Sequence, residues 1–327
     1  MVSVLLIIFI ISFFVLARSS TLLVSSVTGF ARLFGMSEYA IAFILMSFAT
    51  SVSELFVGIS SAVGDISSLS MGNILGANLL NITLVIAIPT LIVGRIKIES
   101  KILRHNFWYI FFLSLFPFFL GFDGIISRGD GVILLLGFIS YMWMIMGEKE
   151  YFSKVYNNIP FIGLLKKTIH DIWILLLGVL LLVGASAVLV WSGTALLEVF
   201  LLDSLLFGII FVSIGTTLPE IVFGVRSVSS QHDSMAIGNA LGSIAFNASF
   251  IIGVVAIINP VRVDSLEELI LVTVAFIVAF ILFNILIYRG EEITRSKAVI
   301  FILIYILYVM TEFLIPDVID SLFKNLI

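Results

Sequence analysis

The sequence predicts an all-α membrane protein with ten transmembrane helices in two inverted five-helix repeats. Three observations lead to this fold class: an apolar composition, ten apolar runs of bilayer length, and one polar motif that occurs twice. Of the 327 residues, 61% are hydrophobic and 12% are charged, and the mean hydropathy is +1.25. These values exclude a water-soluble globular chain.

Apolar runs long enough to cross a bilayer, roughly 20 residues each, recur from end to end of the chain. The predicted helices cover residues 2–30, 39–63, 70–93, 104–123, 131–147, 171–198, 204–229, 235–258, 266–288 and 297–314. The first run lacks the basic start of a signal peptide and stays apolar beyond signal-peptide length, so we interpret it as a spanning helix. The absence of cysteine excludes disulfides, thiol catalysis and thiolate metal sites.

One segment occurs twice, at residues 47–81 and 213–247, with a constant offset of 166 positions and no gap. The shared residues are mostly polar or glycine: Ser47, Thr50, Glu54, Gly58, Gly72, Asn73, Gly76 and Asn81 recur as Ser213, Thr216, Glu220, Gly224, Gly238, Asn239, Gly242 and Asn247. Polar groups that recur inside apolar runs indicate a duplicated site within a membrane, as in the inverted repeats of secondary transporters.

The duplication divides the chain into a first repeat at 1–147, a linker at 148–170 and a second repeat at 171–327. Because each repeat has an odd number of helices, the second enters the membrane from the opposite side and is inverted. The linker is too short for a folded regulatory domain, so it is a simple connection or a short amphipathic helix on the membrane surface. The first helix of each repeat is rich in small and hydroxyl residues, which suits either static close packing or a moving gate.

The positions of lysine and arginine predict the orientation in the plasma membrane. Of the 17 basic residues, one side of the ten-helix arrangement receives Arg32, Arg95, Lys97, Lys101, Arg104, Lys149, Lys154, Lys166, Lys167, Arg226, Arg289, Arg295 and Lys297. The other side receives only Arg128, Arg262 and Lys324, and Arg18 lies within the first helix. By the positive-inside rule, the 147–170 loop is cytoplasmic and both termini lie outside.

The candidate site lies on matching helix faces of the two repeats. In the second predicted helix, Thr50 and Ser51 precede Glu54 by four and three residues and share its face, with Ser47 one turn further back. The same spacing recurs in the seventh helix, and amides follow in the third and eighth. The candidate cation ligands are Ser47, Thr50, Ser51, Glu54 and Asn81, together with Ser213, Thr216, Thr217, Glu220, Ser243 and Asn247.

Two carboxylates at membrane depth indicate a cation site. Each costs at least about 2.5–3.5 kcal/mol to insert, and two that face one cavity repel each other. One divalent cation neutralises the pair, and carboxylate, carbonyl, hydroxyl and amide oxygens suit Ca²⁺. Gly215 and Pro219 flank Thr216–Leu218 and predict a helix break that exposes backbone carbonyls. Two alternatives to a cation site are open. The glutamates could be structural hydrogen-bond partners, and the G-N-x-x-G runs could serve helix packing alone.

The paired motifs, of the form G-T-S-x-P-E and G-N-x-x-G-S-N-x-x-N, resemble the alpha repeats of the calcium/cation antiporter superfamily, particularly its prokaryotic sodium/calcium exchanger branch. The resemblance covers essentially the whole chain. It implies that Ca²⁺ binds between Glu54 and Glu220. It also implies flanking sodium sites that use Thr50, Ser51, Thr216, Thr217, Ser243, Asn81 and Asn247.

The chain departs from this pattern at several positions. The first repeat has Ala49 for Gly, Ser53 for Pro and Ala77 for Ser, and the second has Ile244 where Asn is common. Asn247 stands where some relatives carry Asp, which leaves two carboxylates rather than three. Two negative charges balance one Ca²⁺, two Na⁺ or two H⁺ equally well, so the coupling ion stays open.

The sequence therefore predicts a membrane antiporter that exchanges Ca²⁺ for Na⁺ by alternating access. A Ca²⁺/H⁺ antiporter of the same architecture is the nearest alternative. A cation channel needs a continuous, usually oligomeric pore, and one inverted repeat within one chain argues against it. An intramembrane enzyme needs a nucleophile–base pair or a metal triad, but the three histidines fall at or beyond the ends of the predicted spans and the chain has no cysteine. We expect no enzymatic activity, no cofactor and no nucleic-acid partner, and function as a monomer in the lipid bilayer.

Overall fold

The computed structural model describes residues 2–33, 46–98, 101–147, 161–200, 203–288 and 292–314, most of which are helical. The first half contains α1 (Val2–Leu33), α2 (Ser47–Thr50), α3 (Val52–Val63), α4 (Ser67–Ile82), α5 (Leu84–Val93), β1 (Arg95–Ile96), α6 (Lys101–Leu120), β2 (Ile125–Ile126) and α7 (Arg128–Gly147).

The second half begins with a 40-residue helix and contains two π-helical segments. Its elements are α8 (Phe161–Phe200), α9 (Ser204–Phe207), π1 (Gly208–Val212), α10 (Ser213–Thr216), α11 (Leu218–Ser229), α12 (Asp233–Ala245), π2 (Phe246–Ile251), α13 (Ile252–Ile258), β3 (Val261–Arg262), α14 (Leu266–Tyr288), β4 (Ile293–Thr294) and α15 (Arg295–Leu314).

The structure is that of a membrane protein. Within the described ranges, seven helical segments are long and apolar enough to cross a bilayer, or eight if the bent pair 204–216 and 218–229 is one span. Of the other predicted spans, 39–63 begins outside the described residues, and 104–123 corresponds to α6, a 20-residue helix. The count of ten helices stays a prediction.

The structure adds details to the predicted helices. The predicted span 70–93 is divided at Thr83 into α4 and α5. Helix α8 begins at Phe161, inside the predicted linker, while 148–160 lies outside the described residues. Two short antiparallel ladders also form, β1 with β4 and β2 with β3. In these ladders the chain pairs backbone groups beyond the helix ends, where no intrahelical partner remains.

The backbone repeats with the same offset of 166 residues as the sequence. α2 corresponds to α10, α3 to α11 and β1 to β3, with equal lengths in each pair. The turn after α3 and the turn after α11 have a left-handed residue at the equivalent position, Asp65 with φ 59° and Gln231 with φ 62°. The duplicated sequence therefore folds into duplicated local structure.

Each repeat packs its polar segment against the other repeat. α12 lies against α2, and α4 lies against π1 and α10. Reciprocal contacts of this kind are what a two-fold relation between halves produces. The long helices α1 and α8 pack along each other, and α1 also contacts α2, α10 and α11. The two interrupted helices thus contact each other, through Ser51 and Ser53, and both contact α1.

The predicted orientation is tested at two equivalent turn positions. Gly64 and Ser230 cap α3 and α11 with similar backbone angles, and both are exposed. Because Ser230 already carries a side chain there, we expect Gly64→Cys to be tolerated. An impermeant thiol reagent added to intact cells should label Gly64→Cys and spare Ser230→Cys until the membrane is permeabilised. The opposite labelling would contradict the positive-inside assignment and leave the site unaffected.

Candidate functional site: a buried carboxylate pair between two interrupted helices

Two helix interruptions at equivalent positions bring the candidate ligands together. The first separates α2 from α3 at Ser51, and the second separates α10 from α11 at Thr217, where the axis bends by 41°. Pro219 lies in the first turn of α11, a position at which proline is tolerated. The predicted break at Thr216–Leu218 is therefore present. An interrupted helix has backbone carbonyls with no intrahelical donor, and these can face a cation.

The two predicted glutamates lie in the first turns that follow these breaks. Glu54 and Glu220 are both fully buried, with 0% of each residue exposed, and they repel each other electrostatically. Within the described part of the chain, neither forms an ion pair. Oε1 of Glu54 and Oε2 of Glu220 have no hydrogen-bond partner among the described residues. Among the residues that the structure describes, no cationic side chain pairs with these two carboxyl groups, which together carry a charge of −2 when both are ionised.

Hydroxyl groups from the first repeat bind both carboxylates. Ser51 Oγ donates to Oε1 of Glu220 across the repeat interface at 3.3 Å. Ser53 Oγ lies 2.8 Å from Oε2 of Glu54. Each carboxylate thus keeps one oxygen bound to a serine, while the other has no hydrogen-bond partner in the described part of the chain and can bind a cation.

The two predicted threonines are held by asparagines of the opposite repeat. Thr50 Oγ1 donates to Oδ1 of Asn239 at 3.2 Å, and Thr216 Oγ1 donates to Oδ1 of Asn73 at 2.9 Å. All four residues are buried, and the two contacts are equivalent under the repeat. A hydroxyl that donates its proton keeps its oxygen lone pairs for a cation, so each asparagine orients a candidate ligand.

Further predicted ligands are buried polar groups. Asn81 and Asn247 are fully buried, and neither their amide nitrogens nor their oxygens have a partner among the described residues. The same holds for the hydroxyl of Thr217. Buried polar atoms are nearly always hydrogen-bonded. Buried amide and hydroxyl oxygens without a partner are chemically suited to a cation site, because they add ligands without adding charge.

The remaining predicted residues differ between the repeats. Ser47 Oγ donates to the backbone oxygen of Asn239 at 3.2 Å, whereas its equivalent Ser213 donates to Ile209 O in its own helical segment. Ser243 Oγ lies 3.5 Å from Thr50 Oγ1, and its equivalent Ala77 is fully buried and has no side-chain oxygen. The two sides of the site are therefore chemically unequal.

Two glycines allow the close approach that assembles the site. A Cβ atom on Gly72 would overlap the backbone oxygen of Leu205, and one on Gly76 would overlap Ile209 O and come within 2.6 Å of Ser213 Oγ. α4 therefore packs backbone to backbone against the segment that leads into α10. The glycines of the G-N-x-x-G run therefore serve helix packing, and its asparagine, Asn73, accepts a hydrogen bond from Thr216.

Comparisons with known proteins agree with this geometry. The sodium/calcium exchanger family model matches residues 4–147 and 170–314, most of both repeats. The chain belongs to the sodium/calcium exchanger family. It is 23% identical to sodium/calcium exchanger MaX1 of Methanosarcina acetivorans, with 92% of this chain and 96% of that protein covered. It is 27% identical to inner membrane protein YrbG of Escherichia coli, with 76% and 78% covered.

The fold of this exchanger-family chain matches that of the solved exchanger NCX_Mj, with a TM-score of 0.69 and 22% sequence identity. The match covers 95% of this chain and 99% of NCX_Mj. The family is one of transporters rather than enzymes. The resemblance drawn from the two motifs is therefore confirmed at the level of family and fold.

Three residues of the site were not among the predicted ligands: Asn73, Asn239 and Ser53. The signal for the asparagines was present, because they recur with the same offset as the glutamates. Their contacts could not be predicted without knowing that the repeats cross, because the crossing brings each asparagine to the threonine of the other repeat. Ser53 was visible only as a departure from proline, and its contacts become apparent only in the structure.

Proposed function

We propose that this exchanger-family chain is a secondary active antiporter that exchanges Ca²⁺ for Na⁺ by alternating access. The observation that carries the proposal is the pair of fully buried glutamates at equivalent positions of two crossed repeats, with no cationic partner in the described part of the chain. A charge of −2 in a low-dielectric interior is costly unless a cation compensates it. One Ca²⁺ or two Na⁺ neutralise the same charge of −2. Either ion can therefore replace the other at one shared site, as exchange requires.

The ligand chemistry supports Ca²⁺ and Na⁺ as the transported ions. Glu54 and Glu220 would supply the charge, while the buried residues Thr50, Thr216, Asn81 and Asn247 would supply neutral oxygens. Hard oxygen ligands of mixed type suit Ca²⁺. One relative is named a sodium/calcium exchanger, and structures of NCX_Mj were obtained in Na⁺ and Sr²⁺. These comparisons favour an alkali cation and an alkaline-earth cation as the exchanged pair.

The burial of the carboxylates supports alternating access. Because both are fully buried in this conformation, an ion can reach them only after neighbouring helices move. α1 lies over both interruptions, and the ring of Phe13 packs directly on Gly215 beside the second break. We therefore assign the movement to the α1–α8 pair, which agrees with the gate interpretation of its small and hydroxyl residues.

The proposal is tested by Ca²⁺ uptake into proteoliposomes that contain the purified protein. An outward Na⁺ gradient should drive uptake, and a pH gradient of equal size should not, with the membrane potential clamped in both cases. Uptake driven by the pH gradient alone would establish the Ca²⁺/H⁺ alternative, which the two-carboxylate site also permits. Ca²⁺ flux that needs neither gradient, with conductance typical of a channel, would contradict antiport.

The inequality between Ala77 and Ser243 predicts a specific change in sodium dependence. Ala77→Ser restores a hydroxyl at the position equivalent to Ser243, so Na⁺ should compete more strongly with Ca²⁺. Ser243→Ala should weaken that competition. Because neither change alters charge, Ca²⁺ affinity should stay within a few-fold of wild type. The measurement is Ca²⁺ flux against Na⁺ concentration, and three coincident curves would show that neither position contacts sodium.

A further inference from the structure

The hydroxyl of Ser53 lies where the two repeats and one carboxylate meet. Its Oγ is 2.8 Å from Oε2 of Glu54, 3.1 Å from the backbone oxygen of Thr50 and 3.2 Å from the backbone oxygen of Thr216. The residue is fully buried. The two carbonyls are themselves equivalent under the repeat, since both belong to the last residue before a helix break. Ser53 therefore lies close to the pseudo-two-fold axis of the site.

A hydroxyl has one proton and cannot serve three acceptors at once. The contact with Glu54 is the shortest of the three, and a hydrogen bond to a carboxylate is stronger than one to a neutral carbonyl. Ser53 therefore fixes Oε2 of Glu54, and this leaves Oε1 as the oxygen that can turn toward a cation. The backbone oxygens of Thr50 and Thr216, which Ser53 also approaches, therefore do not receive its proton at the same time.

Glu220 has no such contact with a residue of its own repeat at the equivalent position, and its serine partner is Ser51 of the first repeat. The residue equivalent to Ser53 is Pro219, which has neither a hydroxyl nor a backbone N–H. Ala77 and Ser243, a second pair of equivalent positions, differ in the opposite sense: the residue of the second repeat, Ser243, carries the hydroxyl. Each repeat thus has one of these two hydroxyls, but at a different position. In the first repeat the hydroxyl lies beside the carboxylate in α3, and in the second repeat it lies in the amide-rich helix α12.

We propose that Ser53 is a positioning residue that holds Glu54 for a divalent cation from within its own repeat, whereas Ser51 holds Glu220 across the repeat interface. The inference rests on the proposed function, because it assigns a role within the same cation site. A carboxylate held in place attracts an ion in proportion to the charge of that ion. Loss of the hydroxyl should therefore weaken Ca²⁺ binding more than Na⁺ binding, which is a change in selectivity rather than a uniform loss.

The test is equilibrium binding of Ca²⁺ to the purified protein, with Na⁺ as competitor, for three variants at position 53. Ser53→Ala removes the hydroxyl, and Ser53→Pro removes it while copying the residue of the second repeat. Both should raise the half-saturating Ca²⁺ concentration about tenfold, as expected for a hydrogen bond to a charged group. The half-saturating Na⁺ concentration should rise only about threefold, because Na⁺ carries half the charge. Ser53→Thr keeps a hydroxyl and should restore Ca²⁺ binding.

The matched control is Ser61→Ala. Ser61 is a fully buried serine of the same helix, but its Oγ donates locally to Val57 O at 2.8 Å and contacts neither carboxylate. This control should bind both ions as wild type does. Unchanged Ca²⁺ binding in Ser53→Ala and Ser53→Pro, or equal weakening of Ca²⁺ and Na⁺, would overturn the assignment of Ser53. Failure of the wild-type protein to bind or move Ca²⁺ would instead overturn the proposed function.

Discussion

Replacement of either buried glutamate by glutamine should nearly abolish Ca²⁺ transport. Glu54→Gln or Glu220→Gln leaves one carboxylate facing a divalent cation, and the net charge of +1 is then enclosed in a low-dielectric interior. Breaking a buried charge compensation of this kind costs about 3–5 kcal/mol, which corresponds to at least roughly a hundredfold loss of Ca²⁺ affinity. The measurement is gradient-driven Ca²⁺ uptake by each variant in proteoliposomes.

Folding should survive this substitution, because a neutral amide is easier to place within a membrane than a carboxylate. Thermal unfolding in detergent should therefore occur at or above the wild-type temperature. Glu198→Gln provides a control, since Glu198 lies exposed on α8, away from the breaks. We expect this variant to transport Ca²⁺ normally. Near-normal uptake by either Glu54→Gln or Glu220→Gln would show that the replaced glutamate is not a Ca²⁺ ligand.

Replacement of Gly72 by valine should prevent the two repeats from assembling. A side chain at this position would overlap the backbone oxygen of Leu205, and neither backbone can rotate away as a side chain could. The cost should reach about 3 kcal/mol or more, the upper end of what overpacking produces in a core. Gly72→Val should therefore give little monodisperse protein and a lowered unfolding temperature, as measured by size-exclusion chromatography and a thermal melt.

Gly184→Val is the matched control for this substitution. Gly184 is a helical glycine of α8, and a Cβ atom there would meet nothing within 4 Å. We expect Gly184→Val to fold and transport like the wild-type protein. If Gly72→Val proved as stable as Gly184→Val, then the close approach of α4 to the segment 205–213 would not be needed for folding.

Much of this architecture could be predicted because the chain contains an internal repeat, so that each half can be compared with the other. The offset of 166 residues that aligns Glu54 with Glu220 also aligns the helices, the turns and the strands β1 and β3. Pro219 marked the second break directly, since proline cannot continue an intrahelical hydrogen-bond ladder. The first break, at Ser51, has no proline, and it could be inferred only from the repeat.

The contacts between the repeats could not be predicted from the sequence. Helical spacing places Thr50 on the same face as Glu54, but it does not say that Asn239 will bind the threonine from the other repeat. That contact depends on how two helices cross, which is fixed by glycines such as Gly76. The π-helical segments likewise have no clear sequence signal, although π2 contains the predicted ligand Asn247. Tertiary packing decides these features.

We propose above all that Glu54 and Glu220 jointly hold one divalent cation for which Na⁺ competes. The most direct measurement is the stoichiometry of Ca²⁺ binding to purified protein by isothermal titration, at several Na⁺ concentrations, for the wild type and both glutamine variants. We predict one Ca²⁺ per chain in the wild type, displaced progressively by Na⁺, and no saturable Ca²⁺ binding in either variant. Retention of the same Ca²⁺ stoichiometry and affinity in Glu54→Gln or Glu220→Gln would contradict the claim.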